Sequence, residues 1–324
     1  MLGQDLFVAA PSWAMDIFIA ELPQQLINGL TLGAVYALIA IGYTMVYGIL
    51  GMLNFAHGEI YMIGGFTGWW VLHLLSRSHQ VIMNAAVVIA VMIVIAMGVS
   101  AFIGILTERF AYRPLRNAPR INLLLSALGV SIFLQNFVLN YQGAKPRVYY
   151  VSSLIPKSIQ LIHIGPLVVS FMRIIVVFIT FLLMALLTVI IKRTRTGKAM
   201  RATAQDIEMA TFLGIDVDRI IVLVFIMGSA LGGAAGVLVG LLFTQVDYFM
   251  GFQAGVKGFV AAVLGGIGSI SGAMVGGILL GLAESLAVTF LPSAYKDVVA
   301  FVILIIILIA KPSGLLGEKI QEKV

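Results

Sequence analysis

The chain has 324 residues, of which 61% are apolar and 10% charged, with a mean hydropathy of +1.08. Soluble domains average about 45–50% apolar and about 25% charged, so a soluble globular protein is excluded and a polytopic helical membrane protein is left. The absence of cysteine removes disulfides, thiolate metal sites and cysteine nucleophiles together, and the net charge of +6 reflects basic clusters between hydrophobic runs, with no nucleic-acid partner expected.

Residues 1–22 hold Asp5, Asp16 and Glu21 and no base, which is not the pattern of a cleaved signal. The apolar stretch 7–14 is too short to span, so 1–22 is expected to be an interfacial or packed segment. One membrane domain is expected over 23–317, with 318–324 as a cytoplasmic tail. A window of about 19 residues gives crossings near 25–49, 52–75, 81–106, 121–141, 166–191 and 220–243. The apolar run 256–291 exceeds one crossing and breaks at Gly265-Gly266-Ile267-Gly268-Ser269-Ile270-Ser271-Gly272. Splitting it there gives a short pass or re-entrant hairpin at 256–267, a span at 272–291 and a last one at 297–310. The expected fold is all-α, with about eight long crossings and one short element.

Lys and Arg near span ends stay on the cytoplasmic side. The loop 107–120 carries Arg109, Arg113, Arg116 and Arg120; the loop 192–219 carries Lys192, Arg193, Arg195, Lys198, Arg201 and Arg219; the tail adds Lys311, Lys319 and Lys323. The opposite side has only Arg77, Lys145, Arg147, Lys157, Lys257 and Lys296, with Arg173 inside a span. The bias places the N-terminus outside and the C-terminus inside. Small residues at spacings of three and four, Gly228, Gly232, Gly233 and Gly236, then Gly272, Gly276, Gly277 and Gly281, supply close helix packing in lipid, either within this chain or against a second membrane subunit.

The stretch Asn54-Phe55-Ala56-His57-Gly58-Glu59 sets polar, ionisable and helix-weakening residues inside an apolar region. A carboxylate at the bilayer centre costs about 2.5–3.5 kcal/mol on insertion scales. The stretch is therefore either near the cytoplasmic interface, with Glu59 reaching headgroups or a helix start, or a broken helix lining a path. Glu284 lies well inside a span and needs a partner or water; it is either a satisfied structural group or a path residue. Asp247 reads as a solvated loop residue. No Walker loop, zinc spacing or nucleophile elbow occurs, so no enzyme activity, cofactor or metal is expected. In the loop 192–219, Thr203 and Asp206 resemble a capping box with Asp in place of Glu, and Ile207, Ala210 and Leu213 recur before Gly214. That pattern predicts a short amphipathic helix, lying on the membrane surface or inserted in the groove of a cytoplasmic partner.

Several stretches resemble the LivH-type permeases of bacterial branched-chain amino acid ABC importers: Leu30-Thr31-Leu32-Gly33-Ala34-Val35-Tyr36-Ala37-Leu38, Met45-Val46-Tyr47-Gly48, Asn54 to Glu59, Glu108-Arg109-Phe110-Ala111-Tyr112-Arg113-Pro114-Leu115-Arg116, residues 201–214, and Ala261-Ala262-Val263-Leu264-Gly265-Gly266-Ile267-Gly268-Ser269. The likeness extends from about residue 24 to Gly317. It implies an importer permease fold in the bacterial inner membrane, a second related permease forming a heterodimer, two cytoplasmic ATPase subunits, and a periplasmic amino-acid-binding protein. By the same likeness residues 202–214 resemble the coupling helix, which assigns ATPase contact to Arg201, Ala204, Asp206, Ile207, Ala210, Leu213 and Gly214. The expected path residues are Asn54, His57, Gly58, Glu59, Gly265, Gly266, Gly268 and Glu284. The alternatives are a permease for urea or short amides, and a stand-alone transporter coupling ions through Glu59 and Glu284.

Overall fold

Lipid offers no partner to a backbone N–H or C=O, so apolar runs of this length close their hydrogen bonds within themselves as helices. The computed structural model describes residues 12–77, 84–116, 118–150, 161–164 and 167–317; the segment 1–11 and the tail 318–324 lie outside the described residues. The long helices are α1 (Ser12–Leu50), α2 (His57–Arg77), α3 (Ala85–Thr107), α4 (Arg120–Gln142), α5 (Phe171–Arg193), α8 (Val217–Phe243), α9 (Met250–Gly265), α10 (Ile270–Ala287) and α11 (Lys296–Ala310). Two short helices, α6 (Arg195–Gln205) and α7 (Ile207–Phe212), fill the basic loop. The backbone of 12–22 forms the first turns of α1, which runs on through Pro23.

Among the described residues, seven helical segments are long and apolar enough to cross a membrane. Eight long ones were expected. The difference is α2: its 21 residues reach about 30 Å, but Glu59, Arg77 and four glycines dilute its apolar character. The short element forms one helix, α9, of 16 residues or about 24 Å, with no hairpin. It starts at Met250, six residues before the sequence estimate, and ends at Gly265, two residues before it.

Two small contacts identify the ends of the bundle. At one end β1 (Arg147–Val148) pairs antiparallel with β4 (Gln245–Val246), tying the α4–α5 connection to the α8–α9 connection; β2 (Leu161–Ile164) and β3 (Leu167–Ser170) form a hairpin just before α5. At the other end the chain after α11 hooks back, with the Leu315 and Leu316 N–H groups donating to the carbonyls of Leu264 and Gly265 at 2.9 and 2.8 Å. That second end also holds α6, α7 and the main cluster of Lys and Arg, the charge pattern that the positive-inside rule associates with a cytoplasmic side.

The core is built on α1 and α8, where 83% and 72% of the most apolar stretch is buried within the chain, against 6% in the segment containing α11. Backbone proximity explains this. Gly29 and Gly33 of α1 meet Gly277, Ile278 and Gly281 of α10, and a Cβ on Gly33 would lie 2.7 Å from the Ile278 Cα. Along α8, Gly228 faces Gly42, Gly232 faces His57, Gly233 faces Ser100, and Gly236 faces Gly64 and Gly65. Both glycine stripes are therefore used for packing inside this chain. The faces of α4, α5 and α11 expose Phe133, Phe137, Phe178, Leu182, Ile305 and Ile309, an apolar surface suited to lipid.

Candidate functional site

Helix α1 ends at Leu50, Gly51 takes a left-handed φ of +62°, and the chain turns back into the bundle. Asn54 starts the next helix: its Oδ1 accepts from Ala56 N–H at 3.1 Å and from the Tyr112 hydroxyl at 2.8 Å, while its carbonyl accepts from His57 N–H at 3.0 Å. His57 then lies between Gly42 of α1 and Gly232 of α8, where a Cβ on either glycine would run into the imidazole. Its ring meets Tyr43 edge-on with centroids 5.0 Å apart. Gly42 is eight residues, about 12 Å, short of the end of α1. So α2 begins inside the bundle, at the level of Gly42, and Glu59 is buried there.

Asn54, His57 and Glu59 are each 1% exposed. Ser131 of α4 donates to Glu59 Oε1 at 3.3 Å, and the other oxygen faces Gly251 at the start of α9. Thr44 Oγ1, Asn54 Nδ2, His57 Nε2 and Glu59 Oε2 are buried without a hydrogen-bond partner among the described residues. Each such group costs about 1–3 kcal/mol, so this interior is polar beyond what packing asks for. Gly58 provides the close approach of α2 to α9: a Cβ there would meet the Gly251 carbonyl and lie 2.9 Å from the Gly255 Cα. Gly58→Leu is expected to force α2 and α9 apart and reduce transport at least tenfold, read as uptake per inserted transporter; unchanged uptake would show that this contact is dispensable.

The Glu284 carboxylate has partners that are far away in sequence. Its Oε2 accepts from the Tyr36 hydroxyl at 3.0 Å and from Lys257 Nζ at 3.1 Å, and Lys257 also pairs with Asp297 Oδ1 at 2.8 Å. Lys257 and Asp297 were not singled out from the sequence, because Lys257 read as an ordinary outer-side cation. The signal available was a lone lysine in the middle of the short apolar helix α9. Tyr36 and Lys257 line a cavity of about 320 Å³ between α1, α8 and α9, together with Asp247. Asp247 is half-buried rather than a freely solvated loop residue, and its Oδ1 accepts from Phe249 N–H at 2.8 Å.

The expected path residues do not form one group. Gly265 packs on Gly272 and Gly266 against Ser313, Gly314 and Gly317, so both sit under the C-terminal hook at the basic end. Gly266 and Gly268 have φ of +110° and +97°, which makes glycine the fitting residue in that turn; Gly268 itself is open.

The basic loop differs from its sequence reading in register. Thr203 does not cap a helix: it lies buried within α6, with its hydroxyl donating to the Ala199 carbonyl at 2.9 Å. The cap is Asp206, whose extended backbone separates α6 from α7 and whose Oδ1 accepts from Glu208 and Met209 N–H at 3.0 Å each. Asp is among the strongest N-cap residues, and here it outcompetes Thr203. Gly214 closes α7 with φ +79°. Ala210 therefore points inward, and the exposed apolar knob consists of Ile207, Met209, Phe212 and Leu213, the last two 77% and 76% exposed. Met209 and Phe212 were missed because the stripe was read at three-residue spacing. Arg201 donates to the Ile191 carbonyl, and Ala204 is exposed.

From the start of α8, charged side chains run towards the interior. Asp218, in the first turn of α8, pairs with Arg113 at 2.8 Å and with Arg116; Arg116 also pairs with Glu108, which is buried at the start of a π-helical turn over Glu108–Tyr112. Tyr112 ends that turn and bonds to Asn54. Tyr112→Phe is expected to cost about 1 kcal/mol, seen as a lower unfolding temperature in detergent; no change would mean that the bond carries no stability.

Residues 25–308 match the family model described as branched-chain amino acid transport system / permease component. The chain belongs to this permease family. It is 45% identical over 309 residues to the high-affinity branched-chain amino acid transport system permease protein LivH of Salmonella typhimurium, covering 93% of this chain and 97% of that protein. The LivH protein of Escherichia coli K12 gives the same identity and coverage. The permease protein BraD of Pseudomonas aeruginosa is 47% identical over 307 residues, again with 93% and 97% coverage. No solved structure matches the chain. Permeases of this family are transport subunits and not enzymes.

Proposed function

We propose that this chain is the membrane-spanning permease subunit of an ATP-driven importer of leucine, isoleucine and valine, in the inner membrane of a bacterium. It forms the path with a second, related permease; two ATPase subunits bind at the basic end and a periplasmic amino-acid-binding protein at the other. The observation that carries the reading is the knob of Ile207, Met209, Phe212 and Leu213 at the basic end of a chain that has no nucleotide loop of its own. An apolar helix face in water calls for a groove to enter, and Arg201, Ala204, Asp206, Ala210 and Gly214 shape and hold that face. The gate is the buried break at Asn54, His57, Gly58 and Glu59, linked to the knob through Tyr112, Arg116 and Asp218; Glu284 belongs to the outer part of the path. Gly265, Gly266 and Gly268 act as a turn anchoring the C-terminal hook.

A stand-alone ion-coupled transporter would have to work through Glu59, since Glu284 is already engaged by Lys257 and Tyr36. The test is uptake of labelled leucine into proteoliposomes. Uptake that requires ATP, ATPase subunits and binding protein, and that valine and isoleucine compete for but urea does not, is the expected result. Leucine movement by the chain alone under a proton or sodium gradient would overturn it.

A further inference from the structure

The cavity of about 320 Å³ on the outer half of the bundle falls within the range of small-molecule sites. Its lining is part apolar, with Val35, Ile39, Leu242 and Met250, and part polar, with Tyr61, Asp247, Gln253, Lys257 and Lys296. At its edge the Lys257 ammonium has two carboxylate partners of opposite character. Glu284 is 1% exposed and held by Tyr36, whereas the Asp297 side chain is 55% exposed. The buried partner neutralises the lysine permanently; the exposed one can leave into water at little cost. An arriving carboxylate can thus take the place of Asp297 on Lys257, one charge-assisted bond replacing another of the same kind. The released Asp297, and Asp247 on the cavity wall, are then acceptors for an ammonium. One carboxylate, one ammonium and a branched apolar side chain are the parts of a free branched-chain amino acid.

We propose that this cavity is an acceptor site for apolar α-amino acid zwitterions, in which Lys257 binds the α-carboxylate by exchange with Asp297. The inference rests on the importer reading and adds to it a substrate contact within the permease. The exchange also opens the bridge between α9 and α11, so that occupancy of the site is felt at α11.

The chain has no cysteine, so Gln253→Cys places a single thiol of this subunit on the cavity wall. In right-side-out vesicles containing the complete transporter, leucine is expected to slow modification of that thiol by a polar maleimide at least threefold. Leucinamide and isoamylamine, which lack the carboxylate, are expected not to. Lys257→Gln should abolish the protection and raise the KM for uptake at least tenfold with kcat largely retained, Lys257→Arg should restore part of it, and Asp297→Asn should keep or strengthen it. Should Lys257→Gln fail to assemble, the ligand series and Asp297→Asn still decide, because both retain the lysine. Equal protection by leucinamide, or none by leucine in vesicles that take leucine up, would overturn the site. Vesicles with the native chain that take up no branched-chain amino acid would instead overturn the importer reading, and the site with it.

Discussion

Replacing Phe212 and Leu213 together with aspartate is expected to lower ATP-driven leucine uptake at least a hundredfold while leaving the chain folded in the membrane. Both side chains are more than three-quarters exposed, so the substitution removes little contact within the permease. On the proposed docking it removes burial in the partner: about 1.5–3 kcal/mol for each large apolar side chain, or roughly two to four powers of ten in affinity for the pair at 1.4 kcal/mol per tenfold. Ala210→Asp would be a poor test, because Ala210 is buried and its loss would disturb the helix itself. The measurement is the amount of ATPase subunit that co-purifies with the variant, alongside uptake. Normal association and normal uptake would remove the docking role from α7 and require another surface at the basic end.

The same pair of residues shows where sequence reading succeeds and where it stops. That a short amphipathic helix lies between α5 and α8 is legible, because Asp206, Ile207 and Gly214 carry their own local chemistry of cap, apolar face and left-handed stop. Which face is exposed is not legible, since it depends on whether Thr203 or Asp206 wins the cap, and a shift of three residues turns Phe212 outward and Ala210 inward. The break at 265–272 was readable from glycine density, because left-handed backbone is a local property. Its burial under the C-terminal hook was not, since that comes from residues some fifty positions later. Glu284 was recognisable as a group needing a partner. Tyr36, 248 residues away, could not be found by spacing, and Lys257 was hidden by its resemblance to an outer-side cation. The run from Asn54 to Glu59 announced itself as anomalous, yet only the contact of His57 with Gly42 and Gly232 places the start of α2 inside the bundle.

Gly33→Leu is expected to prevent formation of the folded chain, whereas Gly129→Leu, in another apolar helix, is expected to be silent or slightly stabilising. At Gly33 the first atom of any side chain would meet backbone: the Ile278 Cα at 2.7 Å, and the Ile278 and Gly277 carbonyl oxygens at 2.8 and 2.9 Å. No rotamer change relieves a clash with backbone, so α1 and α10 must separate. The cost then exceeds the about 1–3 kcal/mol typical of overpacking against movable side chains. Lipid supplies no compensating hydrophobic drive once the helices part. Gly129 has nothing within 4 Å of the same position, and replacing glycine within a helix recovers up to about 1 kcal/mol of backbone propensity. Unfolding temperature and monodispersity in detergent read both outcomes. A Gly33→Leu chain as stable as the unaltered one would mean that α1 and α10 do not touch through their glycines. The placement of Tyr36 against Glu284 and Lys257, which depends on that same contact, would then fall too.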